Sequence, residues 1–109
     1  MINMADMFGK ITDIQKKMEE ARNQLHLIEV EAESGGGMVK VKANGNREVT
    51  MIKLDKALVD PNDPEMLEDL IVAAVNQAMQ KAEEAAKEKL SEVTQGMIPG
   101  GLDLSRFGL

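Results

Sequence analysis

At 109 residues the chain has room for one domain of ordinary size. With two phenylalanines and no tryptophan, tyrosine or cysteine, its core has to be aliphatic, and disulfides and thiolate metal sites are excluded. The formal net charge of -6 lacks the basic footprint that phosphate binding usually shows. Asp6 and Lys10 interrupt any signal-peptide-like run, and no stretch approaches the roughly 20 apolar residues of a membrane span, so a cytoplasmic protein is expected.

The distribution of charge says more than the sum. Residues 57–95 hold nine acids against three lysines, while the segments on either side balance. Asp60, Asp63, Glu65, Glu68 and Asp69 stand at or near a helix start, where the helix dipole favours negative charge. The acidic excess is therefore read as a helix-terminus and solubility feature.

From Met4 onward, Met7, Ile11, Ile14, Met18, Ala21, Leu25 and Ile28 recur at steps of three and four, which predicts a helix from about residue 4 to 26 with one apolar seam. Asp6 with Lys10 and Asp13 with Lys17 are spaced i, i+4 in the favourable order. The period then becomes two. Val30 and Ala32 alternate with Glu29, Glu31 and Glu33, and after the glycines at 35–37 the run from Met38 to Ala43 alternates again. The triple glycine precedes a strand rather than a helix, which makes it a hairpin connection and not a phosphate cradle. Asn44-Gly45 is a two-residue hairpin signal, and a third strand from Arg47 to Asp55 changes phase between Val49 and Ile52, which suggests a bulge.

Asp63 as N-cap and Pro64 at the first helical position open a second long helix, whose stripe runs from Leu67 to Val93 and stops at Gly96. The fold class expected is α+β: long helix, three-stranded antiparallel meander, long helix. One domain is expected over residues 1–96, followed by a flexible tail over 97–109 with no period. Helices of about 35 and 45 Å outreach strands of about 23 Å. Their seams stay apolar through the overhang, so a second copy is expected to cover them in an intertwined homodimer. Met4, Met7, Ile11 and Ile14 are the expected interface residues, with Asn76 as a register-setting polar position in the stripe of the second helix.

Nothing in the chain supplies catalysis. His26, the one histidine, has no partner ligand. The segment from Asp60 fails as a calcium loop because Pro64, Glu65 and Ile71 occupy positions that need other residues. No enzyme activity, cofactor, metal or small-molecule substrate is expected.

The segments GGGMVKVKANG at 35–45 and EDLIVAAVNQAMQKAEE at 68–84, in this order behind a heptad-bearing helix and ahead of a Thr-x-Gly and Pro-Gly-Gly tail, resemble the YbaB/EbfC family over nearly the whole chain. The resemblance implies a tweezer-shaped homodimer that binds double-stranded DNA through helical arms and associates with the nucleoid. Two departures are visible, Asn46-Arg47 after the Asn-Gly pair and Ser105-Arg106-Phe107 in the tail. On this reading DNA is held by its backbone, with Lys10, Lys16, Lys17 and Arg22 on the first helix and Lys81, Lys87 and Lys89 on the second as the contacts. The competing expectation is a dimeric adaptor that docks protein partners on its helical surface or sheet edge.

Overall fold

The computed structural model describes residues 3–95, and the expected tail at 97–109 lies outside them. The element order is helix α1 (Met4–Asn23), strands β1 (Glu29–Ser34), β2 (Val39–Asn44) and β3 (Val49–Leu54), and helix α2 (Pro64–Gln95), with 3-10 turns at Leu25–Leu27, Gly35–Gly37 and Lys56–Leu58. The strands form one antiparallel sheet in the order β1-β2-β3. This is the helix, meander, helix arrangement expected, and the phase change in β3 is a bulge: Lys42 lies opposite Met51 but Ala43 opposite Val49, leaving Thr50 extra.

Local chemistry sets the boundaries. The Asn3 side chain accepts from the Ala5 N–H at 3.1 Å and starts α1. At the other end the helix stops three residues short of the expected position. Leu25 is buried in the tighter turn that follows, and its carbonyl accepts from the Ile28 and Gly45 N–H groups at 3.1 and 2.9 Å. All three glycines of the β1–β2 connection have positive φ, between 61° and 93°, which explains the composition of that hairpin. Asp63 accepts from the Met66 N–H at 3.4 Å as the N-cap of α2, with Pro64 first in the helix as expected.

The chain divides into two compact units. In the first, residues 25–87, α2 lies on one face of the sheet. Val39, Val41 and Ala43 of β2 and Ala74 and Ala78 of α2 are fully buried, with Ala32 and Leu58 nearly so and Leu54, Leu67, Leu70, Ile71, Val75 and Met79 around them. The alanines of α2 thus serve approach to a sheet, which their spacing alone did not distinguish from approach to another helix. Ser34 Oγ donates to the Leu70 carbonyl at 2.6 Å, fastening the end of β1 to the helix. The second unit contains α1 and residues 88–95 of α2, and among its described residues only Ala21 is buried.

Candidate nucleic-acid interface

The cations expected to meet DNA lie on two helices of different character. Lys10, Lys16, Lys17 and Arg22 are exposed on α1. At 100° per residue, Lys10 and Lys17 share one flank of the apolar seam, Arg22 lies on the other flank, and Lys16 lies away from both. A single surface can therefore engage Lys10 and Lys17 together, but not all four. Lys17 and Lys89 line a common concavity of about 360 Å³ with Glu20, Ala21, Gln24, Glu92 and Val93, so two cations there stand beside two acids.

In the sheet unit, Lys81 is committed elsewhere: its Nζ donates to the Glu31 carbonyl at 2.8 Å, tying α2 to β1. Lys87 is exposed beside Gln80, Glu83 and Glu84. The i, i+4 acid–lysine pairs on the two helices do not close. Among the described residues the one ion pair is Lys42 with Glu29, at 3.1 Å on the sheet. The three helix pairs, Asp6–Lys10, Asp13–Lys17 and Glu83–Lys87, stay open, as befits long exposed side chains for which such a contact gains only a few tenths of a kcal/mol. Their ammonium groups are left available to another anion.

Asn76 is exposed. It borders a concavity of about 690 Å³ with Asn46, Arg47, Met79, Gln80 and Glu83. Met4, Met7 and Ile11 are exposed by 70, 50 and 48%, and Ile14 is half-buried.

The sequence reading passed over the outer face of the sheet. Glu31 lies opposite Lys42 and Glu33 opposite Lys40, while Lys40 also lies opposite Lys53. That like-charge cross-strand pair costs stability rather than adding it. The signal was the alternation Val39, Lys40, Val41, Lys42, which sends both lysines away from the core.

Comparison with known proteins joins this architecture to a family. The chain is 48% identical over 101 residues to a nucleoid-associated protein of Legionella pneumophila (strain Corby), covering 92% of this chain and 89% of that one. It is 54% identical over 88 residues to a nucleoid-associated protein of Anaeromyxobacter dehalogenans (strain 2CP-C), covering 80% and 85%. The crystal structure of an uncharacterized protein from Helicobacter pylori superimposes with a TM-score of 0.72 over 86% of this chain and 99% of that one at 22% identity, which establishes a shared fold. The sequence profile of the YbaB/EbfC DNA-binding family matches residues 1–97, and the chain belongs to that family.

Proposed function

We propose that this protein is a cytoplasmic, nucleoid-associated homodimer that holds duplex DNA chiefly by its phosphate backbone and thereby organises the nucleoid or regulates genes. The observation that carries the reading is α1. Of its 20 residues only Ala21 is buried, so the helix offers solvent both an apolar seam and a row of open cations. A second copy accounts for the seam, through Met4, Met7, Ile11 and Ile14. Phosphate accounts for the cations, with Lys10 and Lys17 as the principal pair, Lys16, Arg22, Lys87 and Lys89 as outlying contacts, and Lys81 least available because of its bond to Glu31.

No tyrosine or tryptophan is present to stack on bases, and α1 carries one arginine, so little direct base readout is expected. If about four phosphates are neutralised per dimer, log K should fall against log salt with a slope near -3.6. Changing Lys10, Lys16 and Lys17 together to alanine should weaken binding to unrelated duplexes alike and flatten that slope, as read by mobility shift across salt concentrations. An unchanged slope would remove α1 from the interface, and a loss confined to one DNA sequence would remove the backbone mechanism. Failure of the unaltered protein to bind at low salt, with a protein captured in a parallel pull-down, would favour the adaptor reading.

A further inference from the structure

The β2–β3 turn holds a strained residue whose side chain the fold does not use. Among the described residues Arg47 is the one residue other than glycine with positive φ, at 60°. The left-handed region disfavours arginine, and strain of this kind persists only where the surroundings fix it, often at a binding site. Here the backbone is fixed at every step. Asn44 accepts with its side chain from the Asn46 and Glu48 N–H groups at 2.9 and 3.2 Å, and with its carbonyl from the Arg47 N–H at 3.0 Å. The Gly45 N–H donates to the Leu25 and Ile28 carbonyls at 2.9 and 3.1 Å. Every N–H from Gly45 to Glu48 is therefore engaged.

On that fixed backbone Asn46 and Arg47 are exposed. The guanidinium makes no ion pair among the described residues, although Glu48 follows it in sequence and Glu83 lines the same concavity. Glu48 is engaged instead with the Asn44 amide, which donates to it at 3.1 Å. Glycine would relieve this backbone and asparagine would tolerate it, so the turn itself does not call for arginine.

The size and chemistry of the tip indicate what it fits. It is a narrow projection carrying one guanidinium and one amide, fastened to Leu25, two residues past the end of α1. A helix with its side chains is about 10 to 12 Å across and suits the major groove of DNA, whereas the minor groove is about 6 Å wide. Arginine and asparagine are among the side chains that read the minor groove. Its narrowing over A·T tracts strengthens the negative potential that draws arginine in. A phosphate seated in the concavity would meet Glu83, so one more backbone contact is the poorer fit.

We infer that Arg47, flanked by Asn46, enters the minor groove of the bound duplex and gives the protein a preference for narrow, A·T-rich tracts. This rests on the DNA reading above and adds a groove contact to the backbone contacts of α1. Groove width and potential carry the preference. The A·T floor offers only acceptors to the guanidinium and amide donors, while guanine places its N2 amino group there, a donor that obstructs them.

The test is binding of the full chain, by mobility shift at one salt concentration, to three duplexes of equal length. These are an A-tract, a G·C run, and the same G·C run with inosine in place of guanine. Inosine removes the N2 amino group and leaves the major-groove edge of G·C intact. The A-tract should bind about threefold tighter than the G·C duplex or better, and the inosine duplex should recover most of the difference. Arg47→Gly should melt no lower than the unaltered protein and should bring the three affinities together by losing affinity for the A-tract. Lys10→Ala, which removes a backbone contact, should lower all three alike. An A-tract preference that survives Arg47→Gly, an inosine duplex that binds like G·C, or equal binding of all three by the unaltered chain overturns the minor-groove contact and leaves the backbone reading standing. Failure of the unaltered chain to bind any of the three at low salt overturns both.

Discussion

The two units of this chain bury their apolar residues to very different degrees. In residues 25–87, β2 and α2 cover each other so completely that Val39, Val41, Ala43, Ala74 and Ala78 have no exposed surface. In α1 the seam is just as regular in sequence, yet Met4, Met7 and Ile11 stay 48 to 70% exposed. The difference lies in what each stripe meets. The stripe of α2 is lined with alanine and faces a sheet of the same chain, so small side chains permit close approach. The seam of α1 is lined with methionine and isoleucine, which fill a surface that this unit does not itself provide. Periodicity specifies which face of a helix is apolar and leaves open whose surface it will cover.

The largest effect that can break this contrast is in the sheet unit. Val41→Ala deletes two fully enclosed methyl groups and should cost about 2 to 3 kcal/mol. For a domain near this size that lowers the melting temperature by about 10 to 20 °C. Ile11→Ala in α1, where half the residue already meets solvent, should cost far less in the dilute protomer and should show its loss only at concentrations where a dimer forms. Equal losses for the two variants at low concentration would mean that α1 is buried in the protomer after all.

A smaller effect sharpens the account of the β2–β3 turn. Gly45 does not have positive φ; Arg47 does, at 60°. The turn is held by Asn44, whose side chain accepts from the N–H groups of Asn46 and Glu48 at 2.9 and 3.2 Å. Glycine is required at 45 for a different reason: a Cβ there would stand 2.5 Å from the Leu25 carbonyl oxygen, to which Gly45 itself donates. Gly45→Ala should therefore destabilise by about 1 to 3 kcal/mol, because backbone has to move. Arg47→Gly should stabilise by up to about 1 kcal/mol by relieving a left-handed non-glycine residue. Thermal melts of the two variants moving in these opposite directions would separate close approach from conformational freedom, and a gain for Gly45→Ala would reverse the assignment.

That turn also shows where sequence reasoning ran out. The Asn44-Gly45 pair correctly marked a reversal, because the side chain of asparagine and the smallness of glycine are local properties. It did not reveal the positive φ two residues later, because the N–H of Gly45 is drawn to Leu25, a contact across 20 positions. The elements, their order and the bulge were legible from period and phase. The N-cap of α2 was legible from Asp63, while the cap of α1 at Asn3 emerged only in the structure and the end of α1 was set by the burial of Leu25. Among the candidate contacts, Lys10 and Lys17 sharing a face follows from spacing alone. The capture of Lys81 by Glu31 and the facing of Lys40 with Lys53 depend on which strand and helix meet, and no local pattern encodes that.

The smallest expected effect concerns the one ion pair on the outer face of the sheet. Glu29 accepts a hydrogen bond from Lys42 and adds its charge, and together these hold the Lys42 ammonium above the ordinary lysine value. A raised pKa in the folded state means that the pair stabilises fully below the unfolded pKa, about 10.4, and that this contribution disappears as pH rises through the higher folded value. Both side chains are solvent-exposed, so screening leaves little of the attraction. Lys42→Gln should accordingly shift the denaturant midpoint only marginally at pH 7, by an amount that added salt diminishes. The difference from the unaltered protein should stay constant toward pH 10 and close above it. The buried rows of β2 and α2 would then account for the stability of this unit, with the charged face contributing almost nothing. A large loss at pH 7, or a difference that widens at alkaline pH, would show that the wet face of the sheet contributes to its stability alongside the core.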